Sequence, residues 1–80
     1  MPRYFLHVQE PPEVIRDEDG EELETLDLAI EEAKAAAREL MAASLESGGP
    51  LGKGRTILIE DEGGTIVARV RFEDAIPPEK

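Results

Sequence analysis

The feature that most constrains the fold is one long segment, residues 25–47, whose apolar residues recur at the spacing of an α-helix. They form a single stripe that consists of Leu26, Ala29, Ile30, Ala33, Ala37, Leu40, Met41 and Leu45. Thr25 is suited to the N-cap position, and Gly48-Gly49-Pro50 is typical of a helix end. At about 1.5 Å per residue, this helix is roughly 33 Å long. One apolar stripe requires one partner layer, which the rest of the chain must supply.

That layer is predicted to be a small antiparallel sheet, because the remaining apolar residues cluster in short runs rich in branched and aromatic side chains. The predicted strands are residues 3–9, 13–16, 56–60 and 65–72. Asp61-Glu62-Gly63-Gly64 predicts a hairpin, Asp17-Glu18-Asp19-Gly20 predicts a turn, and residues 73–80 are expected to be a frayed tail. The order β(β)αββ predicts one α+β domain over residues 1–80, a two-layer sandwich with one long helix on one face of the sheet.

One helix covers only one side of such a sheet. We expect it to contact Tyr4, Leu6, Val8, Ile57, Ile59, Ile66, Ala68, Val70 and Phe72. The other side carries Phe5, His7, Leu58, Val67, Arg69 and Arg71. An antiparallel sheet tolerates a solvated face, but Phe5, Leu58 and Val67 together are typical of an exposed apolar patch at an interface. These six residues are therefore the candidate interaction face, and a homodimer through it is expected.

Charge and size limit the partners. The formal net charge of −10 disfavours nucleic acid and anionic membranes, and it favours a basic protein partner on the acidic segment from Glu10 to Glu32. An 80-residue chain without cysteine has a thin core and no disulfide, which raises the expectation of a dimer. No segment approaches the roughly 20 apolar residues of a membrane span, so we expect a soluble, cytoplasmic protein.

No motif for catalysis, cofactor or metal binding is present, and we expect no such residue. A calcium loop aligned on Asp17, Asp19 and Gly20 puts Ile15 and Leu26 where carboxylates are required. The lone His7 is typical of a structural histidine. An alternative is a small tautomerase-like enzyme, in which Pro2 becomes the amino terminus and acts as a base. Three arginines would then hold its substrate: Arg3, Arg69 and Arg71.

Nearly the whole chain resembles a family of short uncharacterised bacterial proteins. The resemblance rests on the opening Met1-Pro2-Arg3-Tyr4-Phe5-Leu6-His7-Val8, the stretch from Val14 to Leu23, the alanine-rich helix and the Gly49-Pro50-Leu51 that follows it. It implies the same domain boundaries and no assigned activity. More weakly, the stretch from Thr25-Leu26-Asp27 through Leu45-Glu46-Ser47-Gly48-Gly49-Pro50 is similar to the helix of HicB-type antitoxins and to the exit from that helix. That similarity implies an acidic domain that binds a basic protein.

Together these observations predict a non-enzymatic interaction or regulatory domain, homodimeric through the sheet face opposite the helix. The alternatives that stay open are the tautomerase-like enzyme based on Pro2 and an antitoxin-like acidic partner of a basic protein.

Overall fold

The computed structural model describes residues 1–46 and 54–75, and it has the predicted α+β architecture. Its elements are β1 (Arg3–Glu10), β2 (Glu13–Ile15), β3 (Glu21–Glu22), α1 (Leu26–Glu46), β4 (Thr56–Glu60), β5 (Ile66–Arg71) and a 3₁₀ turn (Phe72–Ala75). The antiparallel sheet and the single long helix on one face of it confirm the predicted fold class for the described residues.

The sheet has the strand order β2-β1-β4-β5, and β3 pairs with β1 as well. β2 and β3 are two halves of one interrupted partner strand, since Ile15 pairs with Val8 and Glu21 pairs with Tyr4 farther along β1. The turn between β1 and β2 contains a cis peptide bond at Pro11-Pro12. The β4–β5 hairpin is confirmed at residues 61–64, where the Asp61 carboxylate accepts the backbone N–H groups of Gly63 and Thr65.

Helix α1 begins where the sequence predicts. The Thr25 hydroxyl accepts the backbone N–H of Leu28 at 3.1 Å, so Thr25 is the N-cap. The predicted stop at Gly48-Gly49-Pro50 lies outside the described residues. Among the described residues no helix is both long and apolar enough to cross a membrane.

The core lies between α1 and the β4–β5 half of the sheet, because the helix packs mainly on β4, β5 and the 3₁₀ turn. The buried apolar residues are Ala29, Ala33, Ala37, Met41, Ile57, Ile59, Val70, Phe72 and Ala75. Tyr4, Leu6 and Val8 of β1 are only half-buried at its margin. The buried alanines on one face of α1 allow the helix backbone to lie close to the sheet.

Ile66 differs from the expectation that it contacts the helix. The β4–β5 register shifts between Ile59 and Glu60, so that Ile66 pairs with Glu60. Such an irregularity moves a side chain out of the alternating pattern that the rest of its strand keeps. Ile66 is accordingly 36% exposed and does not join the core.

The end of the described chain is also more ordered than the predicted frayed tail. Phe72 and Ala75 of the 3₁₀ turn are buried, and the Arg38 guanidinium of α1 donates to the Ala75 carbonyl at 3.2 Å. The Arg55 guanidinium lies 4.5 Å from the centre of the Phe72 ring, a cation–π contact. Residues 73–75 therefore belong to a packed 3₁₀ turn and are not a frayed tail, while residues 76–80 lie outside the described residues.

Candidate interaction surface

The strand register shows where the predicted interaction residues lie. His7, Leu58 and Arg69 form one row across β1, β4 and β5, and Phe5 pairs with Glu60 on the same side of the sheet. Arg71 pairs with Thr56, and Val67 lies at the register shift in β5. We call this side, opposite α1 and defined by Phe5, His7, Leu58, Val67, Arg69 and Arg71, the reverse face.

One end of the reverse face is covered by residues 16–20, the connection between β2 and β3. The backbone N–H of Asp17 donates to His7 Nδ1 at 3.0 Å. Gly20 has a φ of 72° and lies so close to Phe5 that a Cβ atom there would be 2.8 Å from the ring. His7 is consequently only 2% exposed. The expectation of an accessible His7 is thereby corrected, because a chain segment without apolar residues covers it.

The Asp17 carboxylate holds this cover in place. Leu6 of β1 donates its backbone N–H to Asp17 Oδ2 at 3.1 Å, at the point between β2 and β3 where the ladder is interrupted. Oδ1 accepts the backbone N–H groups of Asp19 and Gly20. Burial of the carboxyl alone would raise the pKa of Asp17, but the backbone hydrogen bonds from Gly20, Leu6 and Asp19 outweigh it and hold that pKa below its usual value.

The His7 imidazole is used structurally. Because Nδ1 accepts a backbone N–H, its ring hydrogen lies on Nε2, which donates to Glu60 Oε1 at 2.5 Å. The ring is also nearly parallel to that of Phe5, with centroids 6.5 Å apart. Both ring nitrogens are therefore occupied within the fold, as the sequence predicts for a structural histidine.

A shallow cleft of about 300 Å³ lies beside this cover. Its lining residues are Phe5, His7, Arg16, Asp17, Glu18, Glu60, Asp61, Glu62 and Gly64. Carboxylates outnumber the single guanidinium, so this end of the reverse face is acidic. In residues 1–46 and 54–75, no three His, Asp or Glu side chains are arranged to hold a metal ion. Residues 16–18 were not predicted to lie on this face, although the Asp-x-Asp-Gly pattern is typical of a turn held by side-chain hydrogen bonds.

The other end of the reverse face is basic. Arg69 and Arg71 of β5 are exposed, and Arg69 forms no ion pair with any described residue. The Arg71 guanidinium forms two hydrogen bonds with the Asp74 carboxylate, which raise the pKa of Arg71. Leu58 lies between the two ends and is half-buried. The accessible part of the reverse face thus has an acidic end, an apolar centre and a basic end.

The structure does not bring together the residues of the tautomerase alternative. The Arg3 guanidinium donates to the Asp19 carbonyl and pairs with Glu22 at 3.8 Å. Arg71 lies in the row of Gln9, two strands away from β1 and roughly 20 Å along the sheet from Arg3 at about 3.3 Å per residue. Arginines so far apart do not converge on Pro2.

Comparison with known families places most of the chain within a described family. A family model with the description Domain of unknown function (DUF6894) matches residues 3–73. No curated protein and no solved structure matches the chain. The similarity to HicB-type antitoxins and the basic protein partner that it implies stay predictions.

Proposed function

The chain belongs to the family Domain of unknown function (DUF6894), and since that description assigns no activity, we propose from the surface alone that it is a non-enzymatic interaction domain that forms a homodimer through the reverse face. The observation that carries the proposal is the order of side chains on this face, with carboxylates at one end, Leu58 at the centre and arginines at the other end.

Such a face is complementary to itself. A twofold axis that lies in the interface and passes near Leu58 sets the arginine end of one copy against the carboxylate end of its partner. Two equivalent sets of charge contacts then flank a central contact between the two Leu58 side chains. Charge complementarity of this kind selects the partner and its orientation, and desolvation of the apolar centre contributes the affinity.

The available area predicts a weak dimer. Four strands at about 4.8 Å spacing and a strand length of roughly 20 Å give on the order of 400 Å² per copy. A total near 800 Å² is below the roughly 1,200 Å² that specific stable interfaces bury. We therefore expect an association that is measurable at high protein concentration and is reversed by dilution.

The first test is sedimentation equilibrium of Leu58→Glu beside the unchanged protein. This substitution would place two carboxylates, one from each copy, at the centre of the interface, so we expect at least about a tenfold rise in the dimer dissociation constant. Leu28→Glu is the matched control, because Leu28 is 45% exposed on α1, on the other side of the sheet. If Leu58→Glu dimerises as well as the unchanged protein, the reverse face is not the interface.

The charge order is tested by mixing two variants, Arg69→Glu/Arg71→Glu and Glu18→Lys/Glu62→Lys. In each variant alone, the twofold axis places like charges against each other, so we expect monomers. In the mixture, both contacts again join opposite charges, and a heterodimer is expected. A mixture that stays monomeric, at concentrations where the unchanged protein dimerises, would show that the two ends do not meet.

A further inference from the structure

The two edges of the sheet are unlike. One edge consists of β2 and β3, which have three and two residues, and the Asp17 side chain fills the gap between them. The other edge is β5, a strand of six residues with which no described strand pairs on its outer side. Short, interrupted edges resist further strand pairing, whereas a continuous edge offers a row of backbone hydrogen-bonding groups.

The hydrogen bonds between β4 and β5 show which backbone groups of β5 face outward. Phe72 donates its backbone N–H to the Arg55 carbonyl at 3.0 Å, so the backbone groups of Phe72 point toward β4. Backbone direction alternates along an antiparallel strand, and Val70 therefore points toward β4 as well. The N–H and C=O groups of Arg69 and Arg71 point outward, away from β4.

The side chains at these two positions are the basic end of the reverse face. Both arginines are exposed, in a chain with a net charge of −10. If a second copy of β5 paired antiparallel here, the central registers would place Arg69 opposite Arg69 or Arg71, and like charges directly opposite each other destabilise a strand pair. By contrast, a strand with carboxylates opposite Arg69 and Arg71 would be stabilised by the attraction between opposite charges.

We propose that the outer edge of β5 binds an extended acidic segment of a partner protein by adding it as a strand, with Asp or Glu opposite Arg69 and Arg71. This site shares Arg69 and Arg71 with the proposed homodimer contact but does not use Leu58, because the added strand lies beside the sheet rather than on the reverse face. Backbone hydrogen bonds supply the strand pairing, and the alternating carboxylates supply the selection.

The probe is a short fluorescein-labelled peptide that alternates Glu and Val, and its binding is followed by fluorescence polarisation. A residue directly opposite Arg69 must itself point its N–H at β5, so the Glu residues carry the amides that pair. We expect N-methylation of the Glu residues to abolish binding. N-methylation of the Val residues, whose amides point away from β5, should leave binding intact and is the matched control.

On the protein side, Arg69→Glu should weaken binding of the unmodified peptide by at least about tenfold. Lys34→Glu makes the same change of charge on α1, away from the β5 edge, and should bind as the unchanged protein does. Leu58→Ala should also retain binding, since it removes the apolar centre of the dimer contact, adds no charge opposite Arg69 and leaves the outer edge intact. Failure of the peptide to bind, or binding that is equally sensitive to either N-methylation, would overturn the proposal.

Discussion

At the scale of single residues, Asp17 connects more of the fold than its partly exposed position suggests. Its carboxylate accepts backbone N–H groups from β1 and from its own turn, while its backbone N–H donates to His7. The residue thus replaces a missing piece of β strand by side-chain hydrogen bonds. Without it, Leu6 would have an unpaired N–H at the interruption between β2 and β3.

We expect Asp17→Asn to lower the free energy of unfolding by about 1–3 kcal/mol at neutral pH, since the amide has one acceptor oxygen where the carboxylate has two. The pKa of Asp17 is lowered in the fold, so the stability that its charge contributes is complete above the usual pKa near 4 and is lost as pH falls through the lowered value. The measurement is urea unfolding followed by circular dichroism, near pH 7 and near pH 2.

The unchanged protein should therefore lose its advantage over Asp17→Asn as the pH falls below about 4. Asp19→Asn is the control, because Asp19 is exposed and its carboxylate accepts no hydrogen bond from a described residue. An acid profile of Asp17→Asn that runs parallel to that of the unchanged protein would contradict the role assigned to this carboxylate.

At the scale of elements, the close contact between α1 and the sheet depends on small side chains. Ala29, Ala33 and Ala37 are fully buried and recur every fourth residue along one line of the helix. The helical spacing predicted this face, because a run of apolar residues at that interval has no other common interpretation. The spacing could not predict how closely α1 approaches the sheet, because that distance also depends on the side chains of the opposing strands.

We expect Ala33→Leu to lower the free energy of unfolding by about 1–3 kcal/mol, because the larger side chain overpacks the contact between α1 and the sheet. Ala42→Leu is the matched control, as Ala42 is exposed on the same helix and leucine has nearly the same helix propensity as alanine. Thermal unfolding of the two variants side by side measures the difference. Equal stability of the two variants would show that a leucine fits between α1 and the sheet without overpacking, against this prediction.

At the scale of the whole molecule, the fold could be predicted from the sequence, but the cover over one end of the reverse face could not. The long helix and the β4–β5 hairpin follow from periodicity and turn chemistry, which are local signals. The cover over Phe5 and His7 depends on hydrogen bonds between residues 16–20 and β1, and such bonds leave no periodic pattern. The reverse face is therefore open around Leu58 and closed around His7, where the sequence predicted an open surface throughout.

The position of α1 over β4 and β5 divides the molecule into two zones of unequal cooperativity. Native-state amide hydrogen exchange should show it: the amides of Ile57 and Val70, beneath the helix, should exchange only through global unfolding. Those of Glu13 and Ile15, in an exposed three-residue strand, should exchange through local opening at much smaller free energies. Equal protection of both pairs would contradict this division. We therefore expect the β2 side to detach first, while α1 and the β4–β5 hairpin persist as the last cooperative unit.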